Sequence, residues 1–131
     1  MSITRWFRSL FLGRPAPLPE YLSHALENKD AGTLLDAHEN QSFQMQVGSF
    51  DDFCLRDDII IERAKLCLDG LNGRFRIVSE LTLDEARVGN VPLPSLLIDN
   101  KSVALNESQS LRLRNIARSY WEKEAIVSKI P

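Results

Sequence analysis

Cys54, Cys67, His24 and His38 are the only thiols and imidazoles in this 131-residue chain. A thiol does chemistry as its thiolate, and a dithiol exchange cycle needs one sulfur to attack and a second to resolve. Here the two sulfurs lie far apart, and with the two histidines they show no zinc-ligand spacing. Two cysteines make no disulfide framework and point to a reducing compartment. No nucleophile-elbow sequence supports a Ser/His/Asp triad, and there is no Gly-rich phosphate loop. The remaining candidate is the run Phe50-Asp51-Asp52-Phe53-Cys54, a thiol set just after carboxylates. Like-charge repulsion raises the pKa of such a thiol and blunts it as a nucleophile.

The length fits one domain. Hydrophobic residues make up 44% and charged residues 26%, which excludes a disordered tail and a collagen-like chain. No apolar run approaches the roughly 18 residues of a membrane span. The net charge of -2 hides an asymmetry. Residues 1–17 carry three arginines and no acid, residues 18–62 ten acids and two bases, and residues 63–131 eleven bases and eight acids. An acidic stretch of this kind either is a solvated surface or steers a basic partner.

Residues 2–12 read as an amphipathic helix, with Ile3, Trp6, Phe7, Leu10 and Phe11 on one face. Such a helix docks on its own domain, on a partner or on a membrane interface; Trp6, Phe7 and Phe11 are its partner-binding candidates. Pro15-Ala16-Pro17-Leu18-Pro19 is a semi-rigid spacer. Residues 1–18 thus form a helix and spacer, and residues 19–131 a domain with a leading helical segment over 19–40. Tyr21, Leu22, Ala25 and Leu26 mark the first helix, and Thr33 caps a second with Leu34 and Leu35. Phe43, Met45 and Val47 alternate as a strand. Ile60, Ala64, Cys67 and Leu68 stand at helical spacing and place a helix within 52–69, closed by Gly70 and Gly73. Arg74 to Ser79 is a second strand. Thr82 and Glu85 form a capping box for a short helix that Gly89-Asn90 ends. Leu96 to Ile98 and Val103 to Leu105 flank a turn over Asp99–Lys101 as two further strands. Asn106 and Gln109 cap a last helix whose apolar side runs from Leu113 through Trp121 to Val127.

The order βαβαββα implies an α/β fold, a four-stranded mixed sheet flanked by helices, with a right-handed parallel crossover in its first half. It is similar to the thioredoxin fold. The stretch Val91-Pro92-Leu93-Pro94-Ser95-Leu96-Leu97-Ile98-Asp99-Asn100-Lys101 resembles the region around the cis-proline of thioredoxins and glutaredoxins. Phe50 to Cys54 stands where that family carries its aromatic-Cys-x-x-Cys motif. The resemblance covers roughly residues 42–127 and implies a cis bond at Pro94. It also implies a groove built from Asp51, Asp52, Phe53, Cys54, Leu93 and Pro94. The nucleophilic cysteine then falls on Asp51, and the buried acid behind the motif falls near Met45. A carboxylate cannot attack a disulfide, so the motif is degenerate.

The expected function is therefore a non-catalytic thioredoxin-like adaptor, chaperone or assembly factor, cytoplasmic, without cofactor or metal, whose partner is another protein. One alternative is a monothiol or glutathione-linked oxidoreductase using Cys54, in the register Cys54-Leu55-Arg56-Asp57 with Arg56 as local positive charge. Another is a small acidic inhibitor or immunity-type protein. Cys67 reads as a small core residue. Arg112, Arg114 and Arg118 are diluted by Glu107, Glu122 and Glu124, which argues against a nucleic-acid stripe. Peripheral membrane contact through residues 2–12 is the lesser alternative to a protein partner.

Overall fold

The computed structural model describes residues 17–56 and 59–123. The expected helix over 2–12, most of the proline spacer and Val127 lie outside them. Two helices lead: α1 (Glu20–Glu27) and α2 (Ala31–Glu39). Leu22 and Leu26 of α1 and Leu34 and Leu35 of α2 are fully buried. Asp30, rather than Thr33, caps α2. Its carboxylate accepts from the Thr33 amide at 3.1 Å and from the Thr33 hydroxyl at 2.6 Å, and these bonds hold Asp30 below the usual carboxylate range.

The central sheet has five strands in the order β1 (Gln46–Asp51), β4 (Arg63–Gly70), β5 (Phe75–Thr82), β6 (Ser95–Ile98) and β7 (Lys101–Ser102). Every pairing is antiparallel. Between β1 and β4 the chain forms a separate antiparallel pair, β2 (Cys54–Arg56) with β3 (Ile59–Ile61). The class is mixed α/β, as expected. The four-stranded mixed sheet is corrected to an antiparallel five-stranded one, and no parallel crossover occurs among the described residues.

The error lies in residues 52–69. Ala64, Leu66 and Leu68 are buried while Arg63, Lys65, Cys67 and Asp69 alternate outward, which is strand period. The spacing Ile60, Ala64, Cys67, Leu68 imitates a helical face only if Leu66 is passed over. Three successive isoleucines over 59–61 also favour strand, because branching at Cβ restricts the rotamers a helix allows. With that helix gone the crossover goes too, and β1 lies beside β4. A register shift between Val47 and Ser49 bulges the edge strand at Gly48, where a Cβ would collide with the Asp69 carboxylate.

Locally encoded features stand as read. Thr82 and Glu85 form the capping box of α3 (Leu83–Val88), at 3.1 and 2.8 Å, and Gly89 ends the helix in the left-handed region at φ 70°. Asp99 and Asn100 have φ of 51° and 64°, the signature of a tight two-residue hairpin loop. Arg74 from the β4–β5 turn grips Asp99 with two bonds of 2.7 and 3.0 Å. The following strand is β7, pairing at Lys101 and Ser102 rather than over 103–105. Asn106 and Gln109 exchange bonds of 2.8 and 3.1 Å at the start of α4 (Glu107–Lys123).

All three long helices share one face of the sheet. Leu113, Ala117 and Trp121 of α4 are buried with the inward residues of β4, β5 and β6. Arg112 clamps α4 to α2, reaching Asp36 at 2.5 Å and Glu39 at 2.8 Å. His38 of α2 packs edge-on against Phe43 at 5.5 Å, and its Nδ1 is buried without a partner. Burial holds this imidazole below its ordinary value, outweighing the carboxylate of Glu39. Protonation therefore favours the unfolded chain. The contribution of His38 to stability is full above about pH 6.5 and is lost as pH falls through its lowered folded value. His38→Phe should flatten the decline of the urea midpoint between about pH 6.5 and 5. The steeper loss below about pH 4, where Asp30, Glu39 and Asp99 protonate, should stay.

Candidate functional site

The other face of the sheet carries no helix among the described residues. Alternation along each strand decides which side chains it shows. Reading across strands in register, Ser49, Cys67, Val78 and Ser95 form one row. Asp51, Lys65 and Glu80 form the row toward α3, and Gln46, Asp69, Arg76, Leu97 and Ser102 the row toward the β4–β5 turn. The result is a half-buried apolar strip, Cys67, Val78 and Leu97, framed by charges. Arg63 pairs with Glu80 at 3.3 Å, and Arg76 with Asp69 at 2.7 Å. Arg76 is held more firmly protonated by the carboxylate of Asp69.

At the α3 end of this face a groove of about 440 Å³ opens between the strands and the loop that follows α3. Arg63, Val78, Glu80 and Ser95 form its floor, and Thr82, Glu85, Pro92 and Leu93 its wall. The capping box fixes Thr82 and Glu85. Val91 and Pro94 are buried and anchor the loop on either side of Leu93. Leu93 itself is 55% exposed, and Val88 across the Gly89 turn is 76% exposed. They are the two most exposed large apolar side chains among the described residues.

The six groove residues expected from sequence divide between two places. Leu93 lines the groove and Pro94 is buried beneath it, with no cis peptide bond among the described residues. Asp51 lies on the same sheet face, but β4 and β5 separate it from Leu93, roughly 10–15 Å at the usual strand spacing. Asp52 accepts from the Phe53 amide at 2.7 Å, and Phe53 packs toward the core. Cys54 is the first residue of β2, paired with Ile61, and not at a helix N-terminus. Cys67 is corrected from a core residue of a helix to a half-buried free thiol on the uncovered face. Trp6, Phe7 and Phe11 lie outside the described residues.

Comparison with family models, curated proteins and solved structures gives no match. The site must be judged on its own chemistry. Among the described residues no three His, Cys, Asp or Glu side chains converge as a metal site. No helix among them is long and apolar enough to cross a membrane. Two larger clefts lie elsewhere. One of about 560 Å³ runs between α1 and α2, where Asp30 is already engaged as a cap. One of about 630 Å³ lies at the β4–β5 turn beside Leu18. The α3-end groove differs in pairing an exposed aliphatic side chain with fixed charges of both signs. Sequence reasoning missed Arg63, Val78 and Glu80. Their signal was the alternation of Arg63-Ala64-Lys65-Leu66 and Arg76-Ile77-Val78, which was there to read once 63–70 is taken as strand.

Proposed function

We propose that this chain is a non-catalytic protein-binding module, an adaptor or assembly factor, whose recognition surface is the uncovered sheet face and the groove beside Leu93. The observation that carries the reading is the exposure of Leu93 on a loop held rigid by buried Val91 and Pro94. A rigid, exposed aliphatic group beside charges of both signs is the anatomy of a binding anchor. The proposal does not draw on the thioredoxin resemblance, because the antiparallel order of the strands departs from it.

A photo-crosslinking residue placed at Leu93 should capture a protein partner in cells, and the same residue at exposed Leu111 on α4 should not. Equal capture at both positions, or none at Leu93, overturns the reading. Cys54→Ser should leave this capture unchanged, since the backbone of Cys54 belongs to the β2–β3 pair. Loss of capture in Cys54→Ser, together with a thiolate pKa well below about 8.5 by pH-dependent alkylation, would favour the monothiol alternative.

A further inference from the structure

We propose that the groove beside Leu93 takes up an extended segment of a partner protein as an added strand, hydrogen-bonded to the main chain of Glu80. The proposal rests on the partner-binding reading of this groove and names the form in which the partner enters it. β6 covers only the first half of β5, since their pairing runs from Phe75↔Ile98 to Val78↔Ser95 and stops there. Ser79 to Thr82 have β4 on one side and no strand on the other among the described residues. In an antiparallel strand the N–H and C=O of one residue point to the same side, and successive residues alternate. The Arg74 carbonyl accepts from the Asp99 amide at 2.9 Å on the β6 side, and the Leu83 amide donates to the Glu62 carbonyl at 2.8 Å on the β4 side. Arg76, Val78, Glu80 and Thr82 therefore direct their main-chain groups away from β4, and Ser79 and Leu81 direct theirs toward it. The capping box already satisfies the Thr82 amide, which donates to the Glu85 carboxylate at 2.8 Å. The Glu80 amide and carbonyl face the groove without a backbone partner among the described residues.

Continued in register, β6 would set Leu93 opposite Glu80. Pro92 and Pro94 turn the chain away, because a proline ring fixes φ near about −65°, far from the roughly −140° of an antiparallel strand. Leu93 becomes a wall of the groove instead of a ladder partner. A residue paired with Glu80 sets its side chain on the same face of the sheet, beside Val78 and Leu93, and an aliphatic side chain fits there. A helix cannot answer Glu80, since its main-chain groups are already bonded internally. The free edges of this chain suit the place poorly: β7 pairs only at Lys101 and Ser102, and β1 is interrupted by the Gly48 bulge. The occupant is thus an extended segment of a different protein, held by main-chain bonds and by an aliphatic residue against Leu93.

Hydrogen exchange tests the open edge without any ligand. In the free protein the Glu80 amide should exchange about 100-fold faster than those of Ser79 and Leu81, which are bonded to β4. Protection equal to theirs overturns the proposal. The probe for the groove is a peptide selected on the full chain from a phage-displayed library of random heptapeptides, with Leu93→Asp as the counter-selection. At saturation it should slow Glu80 exchange about tenfold or more. N-methylation at the one peptide position opposite Glu80 should weaken binding about tenfold, and at the positions on either side it should not. Glu80→Pro removes the donor on the open side and spares the β4 ladder, so it should lose a similar factor. Glu80→Ala keeps the donor and gives up only an exposed ion pair, so it should bind within about threefold of the native chain. The N-methyl scan reads the same bonds in the unaltered protein, whatever Glu80→Pro does to folding. A library that yields no such peptide, or a peptide that leaves Glu80 exchange unchanged, overturns strand addition. Retained cross-linking at Leu93 alongside either result removes this inference and leaves the partner reading standing.

Discussion

Trp121→Ala should cost about 3–5 kcal/mol, a large part of the roughly 5–15 kcal/mol that holds a domain together. Trp121 is fully buried near the end of α4. Its indole Nε1 donates to the Ser79 hydroxyl on β5 at 2.9 Å, and its ring meets Phe50 of β1 edge-on at 5.7 Å. One side chain thus ties the last helix to the middle and the edge of the sheet. Ser79 is the only fully buried polar side chain among the described residues, so the indole also removes what would otherwise be an orphaned hydroxyl. Trp121→Phe should keep much of the packing but still lose about 1–3 kcal/mol through that orphan. Adding Ser79→Ala should then restore part of the loss. Urea denaturation checks all three, as a lowered midpoint with unchanged slope. A Trp121→Ala midpoint close to that of the native chain would show that α4 is not anchored as described.

What could be read from the residues was local. The Thr82–Glu85 box, the Asn106–Gln109 pair and the Asp99-Asn100 turn each involve partners within three positions, and the structure forms all of them. What was misread was non-local. Residues 63–70 carry enough apolar side chains to suit either period, and a helix drawn there forces a parallel crossover. Pairing with β1 and β5 decides the matter, because each neighbouring strand satisfies backbone groups that an isolated strand leaves open. The Gly48 bulge adds a second difficulty. It shifts the register of β1 by one, so the face of Val47 is continued by Phe50 and not by Ser49, as unbroken alternation would have it.

The site was legible in part for the same reason. Leu93 and Pro94 came from a contiguous stretch of sequence, and the stretch does form a fixed loop beside a groove. The other wall of that groove is made by β4 and β5, whose outward residues could be paired only once the strands were known to be adjacent. Asp51 and Cys54 were tied to Leu93 through a helix that is not there. The acidic run over 18–62 likewise loses some of its force in three dimensions, since Asp36 and Glu39 are held by Arg112 from the basic half of the chain.

Leu93→Asp should weaken partner binding by about 30-fold or more, the loss of a hot spot worth at least about 2 kcal/mol. Two effects add. The aliphatic anchor is removed, and a carboxylate is set beside Glu80 and Glu85 in a groove where neither can easily retreat. Glu85 is held by the Thr82 amide, and Glu80 is paired with Arg63. The fold should tolerate the change, because an exposed loop side chain contributes within about 0.5 kcal/mol. Leu93→Met, similar in volume and also apolar, should keep most of the affinity. Calorimetric titration with the partner recovered by cross-linking separates the two substitutions. If they bind equally, Leu93 is not an anchor. If both fail while thermal stability is unchanged, the groove recognises the branched shape of leucine itself. If Leu93→Asp alone fails and added salt partly restores it, repulsion from Glu80 and Glu85 is the larger of its two effects, since salt screens charge and leaves apolar contact unchanged.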